Sequence, residues 1–190
     1  MKKIYLIRHG ETKGNEEKKY IGVTDEELSD IGRSGLSLKK YPKIDIIFSS
    51  PMKRCLETCA LIYPNKDVQI VDDLRETDFG EFEGKGFFEL KDDPKYQKWL
   101  ESGGVEPFPN GEGREEVKPR VMKAFYDSLS MINDGKTAVF IVHGGTIMTI
   151  VSELFGGDFF DYQVGNGMGY FFVLSPDGAF SGLTFRSFDR

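Results

Sequence analysis

Apolar positions fall into short dense runs separated by stretches of wider, helix-like spacing. Residues 2–9 (KKIYLIRH) are β-rich and mostly apolar, the texture of a buried parallel strand. Residues 44–50 (IDIIFSS) and 136–145 (KTAVFIVHGG) repeat that texture, and 67–76 (DVQIVDDLRE) reads as a further strand and its exit. Between these runs lie candidate helices. Residues 28–41 predict one with Ser29 as cap and Ile31, Leu36 and Leu38 as apolar positions, weakened by two glycines. Residues 52–63 predict another, entered through Pro51. Over 114–134, Val121, Phe125, Leu129 and Ile132 share one helical face, and Pro119 predicts a kink or a helix start nearby. GTIMTIVSELFGG reads as a helix with a glycine stop, and the last apolar runs as a hairpin across SPDG.

From about 77 to 113 the texture breaks into glycines, prolines, aromatics and charges, which predicts an inserted lobe of short helices and loops. Its aromatics, Phe82, Phe87, Phe88, Tyr96, Trp99 and Phe108, either fill a small core of the lobe or stack on a ligand. Alternation of strand and helix outside the lobe predicts an α/β three-layer sandwich, a mainly parallel sheet with helices on both faces. At 190 residues, 1–190 is expected to form a single domain carrying that lobe.

Composition narrows the function. The chain is 39% hydrophobic and 29% charged, which is globular, and its formal charge of -6 disfavours a nucleic-acid partner while leaving room for a small anionic one. MKKIYLIRHG opens like a signal peptide, but Arg8 and His9 cut its apolar run short, and no run approaches the ~18 apolar residues of a membrane span. A soluble, cytoplasmic protein without a membrane partner is expected; oligomeric state leaves no mark in the sequence. Cys55 and Cys59, four apart in a predicted helix, read as small core residues. Two cysteines and two histidines in no close pairs predict no metal site.

Three predicted strands end in chemistry: Arg8-His9, Ser49-Ser50 and His143. Open α/β sheets bind ligands at the carboxyl ends of their strands. Glycine follows each histidine, which allows close approach to the backbone, and Arg8 and Arg54 could supply a cationic fork for phosphate. On these residues alone, a structural role for the histidines stands level with a catalytic one.

The order of motifs, RHGET with Asn15 following, YIGVTDEELSDIG, SSPMKRCLETC, LRETDFGEFEG and VHGGT, resembles the histidine phosphatase superfamily over residues 4 to about 150. Within it, YIGVTD, DFGEFEG and FPNGE are similar to the alpha-ribazole phosphatases. The resemblance implies a phosphoglycerate mutase-like fold and a metal-independent phosphomonoesterase that needs no cofactor and acts on a small phosphorylated metabolite, with alpha-ribazole 5'-phosphate as the expected one. It implies His9 as nucleophile forming a phosphohistidine, Arg8, Arg54 and His143 as the phosphoryl clamp, and Glu76 as acid and base. Asn15 and the Gly144 N–H would add neutral donors, with Gly22 and Thr24 also at the substrate. A broad-specificity sugar-phosphate or nucleotide phosphatase, a phosphoglycerate mutase-like enzyme and an inactive phosphoester-binding protein are the alternatives. Ser49 and Ser50 are expected to cap the helix behind Pro51, Glu11 and Thr12 to brace the first loop, and Asp25 and Glu83 to lie at the surface or pack the lobe. Gly113 departs from the serine common in the family.

Overall fold

Six strands form one sheet in a computed structural model that describes residues 1–189. In chain order the elements are β1 (Lys2–Arg8), α1 (Lys13–Glu16), α2 (Asp30–Ser37), β2 (Ile46–Ser49), α3 (Lys53–Ile62), β3 (Val68–Ile70), α4 (Phe87–Leu90), α5 (Pro94–Glu101), α6 (Arg114–Ser130), β4 (Thr137–Val142), α7 (Gly144–Phe155), β5 (Gly169–Leu174) and β6 (Phe180–Arg186). The sheet order is β3-β2-β4-β1-β5-β6. β3, β2, β4 and β1 pair in parallel, and β5 pairs antiparallel with β1 and with β6. The mixed α/β architecture with a mostly parallel sheet is the one predicted.

Strand alternation explains the layers. Ile4, Leu6, Phe48, Phe140 and Val142 face one side, where α6 and α7 bring Val121, Phe125, Leu129, Ile147 and Ile150. Ile7, Ile47, Val139 and Ile141 face the other, where α3 brings Cys55 and Cys59. Both thiols are free and buried among these apolar side chains, and burial pushes the Cys59 thiol up to about 11. Pro119 sits in the second turn of α6, so the helix start predicted near it is at Arg114.

Several boundaries differ from the prediction. The 28–41 helix shrinks to Asp30–Ser37; Ser29 caps it by accepting from the Gly32 N–H at 3.0 Å, but only Leu36 of its three apolar residues is buried. Ile31, Leu36 and Leu38 do not fall on one face at ~100° per residue, so Ile31 and Leu38 are left in solvent. The third strand keeps only Val68–Ile70 before a 3₁₀ turn at Asp72–Leu74. α7 ends at Gly156, whose φ of 75° reverses the chain as a glycine stop does. Among the described residues no helix is long and apolar enough to cross a membrane.

Candidate active site

β1, β4 and β2 are neighbours that end together, so the residues just beyond them meet. The His9 N–H donates to the Val142 carbonyl at 2.9 Å, and the His9 and His143 rings stand 5.2 Å apart between centroids. The Ser50 N–H likewise donates to Ile141. The edge strand β3 feeds the turn that carries Glu76 to the same end of the sheet.

His9 is 3% exposed. Its Nδ1 lies 2.6 Å from the carbonyl oxygen of Gly10. A carbonyl only accepts, so Nδ1 carries the proton and Nε2 keeps its lone pair. Burial, then the Arg54 and Arg8 cations, hold the His9 pKa well below the usual histidine value, so the ring is neutral near pH 7. The loop is braced from α3: the Gly10 N–H donates to Thr58 Oγ1 at 2.9 Å, and that hydroxyl donates to the Arg54 carbonyl.

Arg54 is fully buried. Its Nε donates to His143 Nδ1 at 3.3 Å, Nη1 to the Thr24 carbonyl at 2.8 Å and Nη2 to the Gly22 carbonyl at 2.7 Å. Two guanidinium N–H groups remain uncommitted. Because His143 Nδ1 accepts, its Nε2 carries the proton and donates to Ser50 Oγ at 2.7 Å. Burial, then Arg54, His9 and Arg8, keep His143 neutral as well. The structure thus gives Gly22 and Thr24 a hold on Arg54 through their carbonyls.

Loop 22–24 is in turn gripped by Glu83. Its carboxylate accepts from the N–H groups of Gly22, Val23 and Phe79 at 3.0 to 3.2 Å and from Thr24 Oγ1 at 2.7 Å. Gly22 tolerates this crowding because it has no Cβ, which would fall 1.9 Å from the Thr77 carbonyl. The expectation that Glu83 merely lies at the surface or packs the lobe is corrected: it ties the lobe to the loop that holds Arg54.

Arg8 donates through Nη1 to the Val164 carbonyl at 2.8 Å, while its Nε is buried with no partner among the described residues. Glu76 is 7% exposed; its oxygens accept from the Thr77 and Gly145 N–H groups, each at 3.0 Å. A Cβ on Gly145 would lie 2.4 Å from Glu76 Oε1, so glycine there lets the carboxylate approach α7. Arg120 grips the Glu76 carbonyl at 3.1 Å and pairs with Glu112. Arg8, His9, Asn15, Glu76 and Gly144 line one cavity of about 310 Å³. Gly144 opens α7, where a helix N-terminus favours an anion.

A second cavity of about 570 Å³ shares Tyr20, Phe79, Gly145, Met148 and Gln163 with the first. Trp99, Phe108, Phe159 and Phe160 continue its wall, with the Arg114 guanidinium 4.4 Å from the Phe159 ring centre. The lobe aromatics that line the larger cavity also pack on the lobe's own small core. Phe82 and Tyr96 are buried with Leu90 in a small core of the lobe; Phe79, Trp99 and Phe108 pack on that core and also face the cavity. Phe88 is 85% exposed and lines neither cavity. Gly113 also lines the larger cavity and stands at the N-cap of α6, where Glu116 reaches back to its N–H while glycine offers no hydroxyl to the Glu116 N–H.

One further reading is corrected, while Asp25 lies at the surface as expected. Neither Ser49 nor Ser50 is the N-cap of α3: Ser49 Oγ donates to the Ser50 carbonyl, and Ser50 Oγ serves His143 and reaches only the N–H of the N-cap residue Met52, at 3.4 Å. The carboxylate that accepts from the first helical N–H, Lys53, is Asp25, at 2.8 Å. Thr12 caps α1 reciprocally with Asn15, and the Glu11 carbonyl accepts from Ser29, so both brace the loop. Asn166 escaped the sequence reading; the tight glycines on either side of it were the available signal. Among the described residues no group of three or more His, Cys, Asp or Glu side chains is disposed to hold a metal ion.

Residues 4–169 match the family model described as histidine phosphatase superfamily (branch 1). An uncharacterized phosphatase of Bacillus subtilis is 32% identical over 83% of this chain and 80% of its own length. A phosphoserine phosphatase of Entamoeba histolytica, solved in complex with 3-phosphoglyceric acid, superimposes with a TM-score of 0.80 at 30% identity, covering 98% of each chain. The alpha-ribazole phosphatase of Shigella flexneri shares the fold, with a TM-score of 0.81 at 22% identity over 99% of this chain and 96% of that one.

Proposed function

The chain belongs to the histidine phosphatase superfamily and is a phosphoric monoester hydrolase; from that premise we propose that it works through a phosphohistidine at His9, without a metal. One observation carries the reading: a neutral histidine with its Nε2 lone pair free stands in a cavity beside a buried Arg8 N–H that has no partner among the described residues. An anion in that cavity would satisfy the orphaned donor, whose burial is otherwise costly.

The chemistry follows from the donors. Nε2 of His9 attacks phosphorus, a P–N bond forms, and the ester P–O bond opposite it breaks. Arg8 Nε–H, the two free N–H groups of Arg54, the Asn15 amide and the Gly144 N–H take the phosphoryl oxygens. His143 Nε2–H is the further donor that can turn from Ser50 to a phosphoryl oxygen. Glu76 gives its proton to the leaving alkoxide, then accepts one from the water that attacks the phosphohistidine and releases inorganic phosphate.

Alpha-ribazole 5'-phosphate is the proposed substrate. The larger aromatic cavity next to the phosphoryl site supports it, since a nucleoside-sized leaving group needs such a space. The phosphoserine phosphatase likeness at 30% identity favours a second reading, phosphoserine, with a leaving group small enough for the first cavity. A panel of alpha-ribazole 5'-phosphate, phosphoserine, 3-phosphoglycerate and p-nitrophenyl phosphate, assayed with and without EDTA, decides. The proposal expects the highest kcat/KM with the first and no effect of EDTA; preference for phosphoserine or dependence on a divalent ion would replace it.

A further inference from the structure

Segment 164–168 lies along the nucleophile loop. The Val164 carbonyl takes Arg8 Nη1, the Arg8 N–H donates to the Met168 carbonyl, and the Gly167 N–H donates to the carbonyls of Arg8 and His9 at 3.0 and 3.2 Å. At its centre Asn166 places Nδ2 within 3.1 Å of the His9 carbonyl, 3.3 Å of the Gly10 carbonyl and 3.1 Å of Asn15 Oδ1. The two carbonyls can only accept, so the atom facing them is the amide NH2 group. It follows that the Asn15 atom facing Asn166 is an oxygen, an assignment the Thr12 N–H reinforces by donating to it at 3.2 Å. The Asn15 NH2 group is thereby turned to the other side of its amide, and Asn15 lines the phosphoryl cavity. The Gly10 carbonyl that Asn166 reaches is also the one that fixes the proton on His9 Nδ1.

We propose that Asn166 is a positioning residue of the active site, which through one amide fixes the acceptor that orients His9 and forces Asn15 to present donors to the phosphoryl group. The inference rests on the phosphatase reading for its consequence in turnover, but the orientation of Asn15 can be measured apart from it.

Asn166→Asp keeps the shape and exchanges the donor for a carboxylate, an acceptor facing three acceptors. Near pH 7.5 its kcat with p-nitrophenyl phosphate should fall about 30-fold or more, with KM changing less. Because protonation restores one O–H donor, the ratio of variant to wild-type kcat should climb several-fold between pH 7.5 and 5. Asn166→Ala should lose about tenfold with a ratio that does not vary with pH, and should weaken inhibition by inorganic phosphate. In an Asn15→Ala background the same change should weaken phosphate inhibition little further, as expected of residues acting as a unit. The Asn15 side-chain amide cross-peak in a ¹⁵N spectrum, identified by its loss in Asn15→Ala, should shift in Asn166→Ala whatever the turnover. An Asp variant within twofold of wild type, a flat pH ratio, full additivity with Asn15→Ala or an unmoved Asn15 amide would each overturn the proposal. A wild type that hydrolyses no phosphoester would instead remove the phosphatase reading, and the amide shift would still test the role of Asn166.

Discussion

Arg54 Nε donates to Nδ1 of His143 at 3.3 Å while both side chains are wholly buried. That contact sets the His143 tautomer, and the two carbonyls of loop 22–24 complete the cradle of the guanidinium. Lysine keeps the charge but cannot span three acceptors in a fixed plane. Arg54→Lys should therefore lower kcat/KM by about 10²–10³-fold, the usual cost of losing a preorganised oxyanion donor. Steady-state kinetics on an alkyl and an aryl phosphate check this, and a loss below about threefold on both would contradict it.

Glu83 should matter at a distance. Glu83→Ala strips the acceptor from three backbone N–H groups and from Thr24 Oγ1, and so frees the loop that holds Arg54. Unpaired buried donors cost about 1–3 kcal/mol, and the partial exposure of this loop places the effect at the lower end. Calorimetry should show Tm falling by a few degrees, with kcat/KM down about tenfold. Removing the carboxylate of Glu27, which is 64% exposed, should change neither measurably.

Protonation of the two histidines should come late on acidification. Burial first, then neighbouring arginines, depress both pKa values. A histidine whose folded pKa is depressed binds a proton more readily when unfolded. The stability tied to it is whole above the unfolded value near 6.5 and is lost as pH falls below that value toward the folded one. Tm should thus decline from pH 7 to 5. NMR titration of the ring resonances is clean in a chain with two histidines, and should show neither ring titrating with a midpoint at or above 6.5. A midpoint near 7 for His9 would contradict the depression that burial and the two arginines impose.

Glu76 and Gly145 should fail in the same way. A general acid matters most for a basic leaving group, so Glu76→Gln should cripple alkyl ester cleavage while sparing the first step with p-nitrophenyl phosphate. Gly145→Ala, whose Cβ would meet Glu76 Oε1 at 2.4 Å, should reproduce that pattern at smaller amplitude by displacing the carboxylate. Single-turnover rates on both ester types measure it; equal losses on the two would take the acid role from Glu76.

How far the sequence could be read depended on how local the signal was. β1 and β4 announce themselves as dense apolar runs, and the glycine-flanked ends that carry His9 and His143 follow directly. The stripe Val121, Phe125, Leu129 was visible because α6 is long enough to show its period. α1, four residues long, has no period to show. The cap of α3 is supplied by Asp25, 28 positions upstream of Lys53, a pairing that only the fold creates. Ser50 looked like a cap because it precedes Pro51, yet the neighbouring strand delivers His143 to it first. Glu83 and Asn166 act through backbone groups of distant loops, and a single sequence carries no mark of which carboxylate or amide will meet them.

The central claim is that phosphate passes through His9. Rapid acid-free quenching of enzyme with ³²P-labelled phosphoester, followed by peptide mapping, tests it most directly. The account predicts label on the peptide containing His9, stable to alkali and lost in acid, and no label in His9→Ala. Label on another residue, label that persists in His9→Ala, or turnover by that variant above about a hundredth of wild type would contradict it.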